Sequence, residues 1–171
     1  MRIYIFFLVI VLISGTHLIF AEEEYKDVTA SVMVSSTFEV STEAIPIDFG
    51  VIDSGEAVEL YPDRYFNEVR CISNHGRTWF LKAACGDLTS PNASISKTHL
   101  KIKVFWTNGK GNYSFDWVSF EDVPVLVYTS GDADNTGNEV RMQFKYKLDP
   151  LIGVPAGNYG AIVTYTMSEA P

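Results

Sequence analysis

The sequence predicts an all-β protein, an antiparallel β-sandwich of eight to ten strands, on three observations. Apolar residues recur at every second position along much of the chain, turn-forming residues punctuate these runs at short intervals, and no stretch between residues 25 and 168 sustains helical spacing. A strand points successive side chains to opposite faces, so a period of two means one buried face and one wet face. The clearest run is Val140, Met142, Phe144, Tyr146 and Leu148, interleaved with Arg141, Gln143, Lys145, Lys147 and Asp149.

Before the strands comes a leader. Met1-Arg2 gives a positive start, residues 3–13 are almost unbroken apolar sequence, and Ser14-Gly15-Thr16 precedes Leu18-Ile19-Phe20-Ala21. This pattern reads as a signal peptide over 1–21, leaving residues 22–171 as one sandwich domain. A membrane-anchoring helix is the competing reading, since residues 3–21 approach the roughly 20 needed to span a bilayer. Ser14, Gly15, Thr16 and His17 dilute the run and Glu22-Glu23-Glu24 follows at once, which favours cleavage. The expected address is secreted, extracellular or periplasmic and cell-surface, with no stable membrane anchor after cleavage.

The strands follow in order. Val28-Ala30-Val32-Val34 alternates first; residues 38–40, 45–49, 57–60, 65–72, 78–84 and 123–128 are shorter candidates. Leu100-Ile102-Val104-Trp106, with Lys101 and Lys103 between, precedes the 140–148 run, and Tyr159-Ala161-Val163-Tyr165-Met167 closes the chain. Between them lie Asp48-Phe49-Gly50, Asp53-Ser54-Gly55, Asn74-His75-Gly76, Asn108-Gly109, Gly131-Asp132 and Pro155-Ala156-Gly157-Asn158. Gly and Asn supply positive φ at low cost, and Pro fixes a turn's first residue. Residues 86–98 read as a surface loop.

Composition narrows the partners. The 171 residues are 47% apolar, enough for a core, and carry a formal net charge of −8. Without Arg2 the basic residues number 12 against 21 acidic ones, so the mature chain is more acidic still. Nucleic acid is therefore not an expected partner, because phosphate backbones reward positive charge.

Two stretches carry a resemblance. Ile47-Asp48-Phe49-Gly50-Val51-Ile52, followed by Val69-Arg70-Cys71-Ile72-Ser73-Asn74-His75-Gly76, resembles the opening of bacterial immunoglobulin-like domains of the abnormal-spindle-like and pilus-chaperone-like type. Leu148-Asp149-Pro150, then Gly153-Val154-Pro155-Ala156-Gly157-Asn158-Tyr159 through Val163-Thr164-Tyr165-Thr166, looks like the approach to the last strand of secreted fimbrial-type sandwich modules. The resemblance implies an immunoglobulin-like fold and leaves the chemistry open. Residues 86–138 are longer than a minimal seven-stranded domain of that type needs.

Several residues are candidates for chemistry. Cys71 and Cys85 in a secreted chain suggest a disulfide. With a tight hairpin at Asn74-His75-Gly76-Arg77, however, Cys71 lies opposite about Phe80 and Cys85 is displaced by roughly 17 Å. A bridge or two buried thiols both stand open. Asp132-Ala133-Asp134-Asn135-Thr136-Gly137-Asn138-Glu139 matches the first half of a calcium loop, with Asp132, Asp134, Thr136 and Glu139 as oxygen ligands. The bidentate Glu of such a loop is replaced by Gln143, and a polar hairpin loop is the competing reading. Calcium is the one cofactor the motif suggests.

Trp79 and Trp106, on alternating strands, are expected in the core. Tyr113, Phe115 and Trp117 follow the polar loop Thr107-Asn108-Gly109-Lys110-Gly111-Asn112 and form a candidate stacking surface for sugar rings. Outside the leader only His75 and His99 remain, with no metal-binding His spacing and no Gly-x-Ser-x-Gly elbow.

The expected function is a non-enzymatic secreted or cell-surface structural or adhesive module. The Val28-Ala30-Val32-Val34 strand either closes its own sandwich, the preferred reading, or is donated to a neighbouring sheet edge. Donation would make the chain a surface-fibre subunit assembling by strand pairing through residues 25–40 with a protein partner or itself. A carbohydrate-binding module using the 107–117 aromatics is the first alternative. A small secreted hydrolase is the second.

Overall fold

The computed structural model describes residues 31–43, 46–51 and 66–171. The chain divides into two units, Met1–Val34 and Ser35–Pro171, and the architecture below is that of the second. The leader 1–21, Val28, Ala30 and the candidate strand at 57–60 lie outside the described residues.

The described residues are organised as antiparallel strands: β1 (Phe38–Thr42), β2 (Asn67–Ser73), β3 (Phe80–Cys85), β4 (Leu88–Thr89), β5 (Ser94–Ile95), β6 (Leu100–Thr107), β7 (Val118–Ser119), β8 (Val125–Thr129), β9 (Glu139–Leu148) and β10 (Val163–Ser168). A five-stranded sheet runs β1-β2-β9-β6-β7, a three-stranded sheet runs β10-β3-β8, and β4 pairs with β5. The protein is all-β with antiparallel sheets.

β9 is the spine. Its ten residues pair with β2 on one side and β6 on the other, and Val140, Met142, Phe144, Tyr146 and Leu148 are buried as the alternation requires. The inner faces of both larger sheets feed one apolar cluster, with Val69 and Cys71 from β2, Leu81 and Ala83 from β3, and Ile102 and Val104 from β6.

The chain changes sheets between β2 and β3. Gly76 takes φ +67°, a left-handed conformation that side chains resist, and β3 then pairs with β10 and β8 rather than with β2. Trp79, fully buried at this crossing, is clamped to Ser130: its N–H donates to Ser130 Oγ at 2.8 Å, and the Ser130 N–H donates to its carbonyl at 2.9 Å.

Five expectations need correction. Residues 31–34 form no strand, and Val32 and Val34 are exposed; the sheet begins only at Phe38. The described part of 45–49 is extended but unpaired, with Ile47 and Phe49 packed half-buried on the core and the Gly50 N–H turned onto Asp48 Oδ1 at 2.8 Å. The last strand starts at Val163 rather than Tyr159, because Gly160 is drawn into an isolated bridge with Thr89. The 86–98 loop contains β4 and β5, whose Leu88 and Ile95 are buried.

The fifth correction is Trp106, which is 45% exposed rather than core. A register shift between Val104 and Trp106 inserts Phe105 as an extra residue and pairs Trp106 with Gln143. Gln143 shares its face with Arg141 and Lys145, so the shift turns Trp106 outward.

Candidate functional site

The 107–117 loop is built on one buried carboxylate. Asp134, 3% exposed, sits in the 3-10 turn Asp132–Asn135. Its Oδ2 accepts from the Tyr128 hydroxyl at 2.7 Å and the Gly131 N–H at 2.8 Å, while Oδ1 accepts from the Lys110 N–H at 2.9 Å. Tyr128 passes the network on, its oxygen accepting from the Gly111 N–H at 2.7 Å. Burial holds that phenol above its ordinary pKa, and the Asp134 hydrogen bond adds to the effect.

Glycine is required here by close approach. A Cβ on Gly109 would stand 2.0 Å from the Tyr128 hydroxyl, and one on Gly111 would stand 2.0 Å from the Thr129 carbonyl. Asn108 fixes the other side of the loop. Its Oδ1 accepts from the Arg141 N–H at 2.7 Å and its Nδ2 donates to the Glu139 carbonyl at 3.2 Å, continuing the β9 ladder with a side chain.

On this base the predicted aromatics part company. Tyr113 stacks on Tyr128 with centroids 6.1 Å apart and meets Phe115 edge-on at 4.9 Å; Phe115 is 60% exposed. Trp117 is half-buried on the outer side of the five-stranded sheet, with the Lys103 and Lys147 ammonium groups 4.5 and 5.3 Å from its ring centre.

Three of the four candidate calcium ligands make other contacts. Asp134 is saturated by backbone and phenol donors, the Thr136 hydroxyl donates to the Ala133 carbonyl at 3.1 Å, and Glu139 pairs with Arg141. Among the described residues no group of three or more His, Cys, Asp or Glu side chains is placed to hold a metal.

Cys71 and Cys85 are free, buried thiols, one of the two arrangements their sequence positions allow. They stand on strands of different sheets, Cys71 opposite Val140 and Cys85 opposite Val163. Burial pushes the Cys71 thiol up to about 12 and also raises Cys85.

One arrangement escaped the sequence reading. The Ser36 Oγ hydrogen-bonds His75 Nε2, and His75 Nδ1 lies 2.7 Å from Glu169 Oε1. This is the connectivity of a nucleophile, base and orienting carboxylate. Acyl transfer also needs N–H donors aimed at the developing oxyanion. Three nearby donors are engaged elsewhere: Thr37 N–H on Asn74 Oδ1 at 2.7 Å, Gly76 N–H on the Asn135 carbonyl at 3.3 Å, and His75 N–H on Ser73 Oγ at 3.4 Å. The trio is exposed and works as a clasp between residues ahead of β1 and those after β10. Sequence spacing gives no signal for it, since its members are 39 and 94 residues apart.

A groove of about 1000 Å³ opens where β6 begins and β9 ends, lined by Leu100, Tyr146, Leu148, Leu151, Val154 and Val163. Asn67 also lines it; its Nδ2 donates to Thr42 Oγ1 and the Glu43 carbonyl, while its buried Oδ1 has no hydrogen-bond partner. An orphaned buried acceptor is uncommon and costs free energy.

Compared with known proteins, the chain matches no family model and no curated relative.

Proposed function

We propose that the chain is a non-enzymatic, secreted or cell-surface structural or adhesive module, an immunoglobulin-like sandwich of the bacterial surface type that assembles by strand pairing with further copies of itself. The observation that carries this reading is the run immediately ahead of Ser35. Val32, Met33 and Val34 are 88%, 94% and 77% exposed. Burying three such side chains is worth about 5–9 kcal/mol before ordering costs, so leaving them in water is costly unless a partner covers them.

The groove offers the matching surface. A segment from Val28 to Val34 spans roughly 23 Å when extended, and its alternating apolar residues suit the Leu100, Leu148 and Leu151 lining. The non-enzymatic half of the proposal draws on three N–H groups near Ser36, those of Thr37, His75 and Gly76, being held by protein acceptors.

Size-exclusion chromatography and electron microscopy of the exported chain, with and without residues 25–34, test the reading. The deletion stops short of β1. Ordered multimers of the parent and an aggregation-prone monomer of the deletion are expected; a deletion that is a stable, well-behaved monomer contradicts the reading. A parent that stays monomeric at high concentration, or a deletion that multimerises equally, contradicts it.

A further inference from the structure

The outer face of the five-stranded sheet gathers like charge. Lys101 pairs across the ladder with Lys147, and Lys103 with Lys145, so four lysines stand side by side on β6 and β9 in a chain of net charge −8, Lys147 buried and the other three half-buried. Directly opposed like charges weaken a sheet. Asp149 takes Lys101 at 2.8 Å, while the Lys145 and Lys103 ammonium groups lie over the Phe105 and Trp117 rings, 3.7 and 4.5 Å from their centres.

The β6 bulge adds aromatic surface to the same face. It places Phe105 and the outward-turned Trp106 together, each 45% exposed. Two large exposed rings beside a lysine row combine a stacking platform with cationic hydrogen-bond donors. Flat apolar rings suit sugar faces, and ammonium groups suit carboxylates carried at regular intervals.

We propose that this face, centred on Lys103, Lys145, Phe105 and Trp106, binds an acidic polysaccharide whose sugar rings bear carboxylates. The site is separate from the groove and does not depend on assembly. It does not use Tyr113, which stacks on Tyr128, or Phe115, which packs edge-on against Tyr113.

The test is affinity electrophoresis and calorimetry of the exported chain against polygalacturonate, with dextran as the neutral polymer and a single-stranded oligonucleotide as the competing polyanion. Polygalacturonate is expected to bind and to weaken as salt rises. The K103Q/K145Q variant should lose about tenfold or more, since two charge-assisted contacts go, and W106A should lose severalfold. Both variants should stay folded at the assay temperature, checked by melting, since K103Q/K145Q trades two cation–π contacts for relief of a like-charge pair and Trp106 is 45% exposed. The proposal is overturned by failure of the parent to bind polygalacturonate at low salt, by equal binding of the variants, by equal retention on dextran, or by tighter binding of the oligonucleotide.

Discussion

Replacing Asp134 with Ala removes the acceptor for three donors at once: the Lys110 and Gly131 N–H groups and the Tyr128 hydroxyl. Each donor left unpaired in the interior costs about 1–3 kcal/mol. Water entering beside the loop recovers part of this, so the expected loss is about 3–5 kcal/mol, at the upper end of single substitutions. At roughly 2–4 °C per kcal/mol for a domain near this size, the melting temperature should fall by about 6–20 °C. Asp134→Asn keeps the volume but turns an amide donor toward donors, and should fall between the parent and D134A. Calorimetry or urea unfolding measures both. A melting temperature for D134A within about 2 °C of the parent would refute the claim that this carboxylate organises the loop. The same scans should show no response to calcium or chelator, whereas a calcium ligand would give about 2.7 kcal/mol of stabilisation at a hundredfold excess over Kd.

Other outcomes follow from the same geometry. Trp79→Ala should cost about 3–5 kcal/mol as a buried aromatic is emptied, while Trp106→Ala, at a ring 45% exposed, should cost clearly less; equal losses in urea titrations would contradict the bulge assignment. Thiol titration should find two reactive groups per chain only after unfolding, because burial suppresses the thiolates, and an intact mass two units low would show a disulfide instead. Glu169 is held below the ordinary carboxylate range, first by its His75 hydrogen bond, then by Arg77. A depressed native pKa contributes stability above the ordinary value of 4.5, and that stability disappears as pH falls through the lower native value. Melting curves of the parent and Glu169→Gln should therefore differ at neutral pH and converge in acid; a constant gap would remove the clasp's titration.

The alternating runs were legible wherever both neighbours of a strand were paired. β9 follows its apolar period from Val140 to Leu148 because β2 and β6 hold it on either side. Alternation failed where pairing decided the outcome. Ile47 and Phe49 have the pattern of a strand but no ladder partner, and residues 31–34 have it without joining a sheet. A bulge is a one-residue shift with no compositional mark, so Trp106 read as core from its spacing although its register partner is Gln143. Asp134 was visible as an acidic loop residue, but whether its oxygens face a cation or backbone N–H groups depends on Lys110 and Tyr128, which only the fold brings near. The lysine row was visible on each strand separately; its juxtaposition required the β6–β9 register.

Assembly by strand pairing is tested most directly by adding the missing strand back. A synthetic peptide of residues 25–34, titrated into the chain lacking them, should raise its melting temperature in a saturable manner, with a Val32→Asp/Val34→Asp peptide inactive. No shift at millimolar peptide, or an equal shift with the Asp-substituted peptide, would contradict the account.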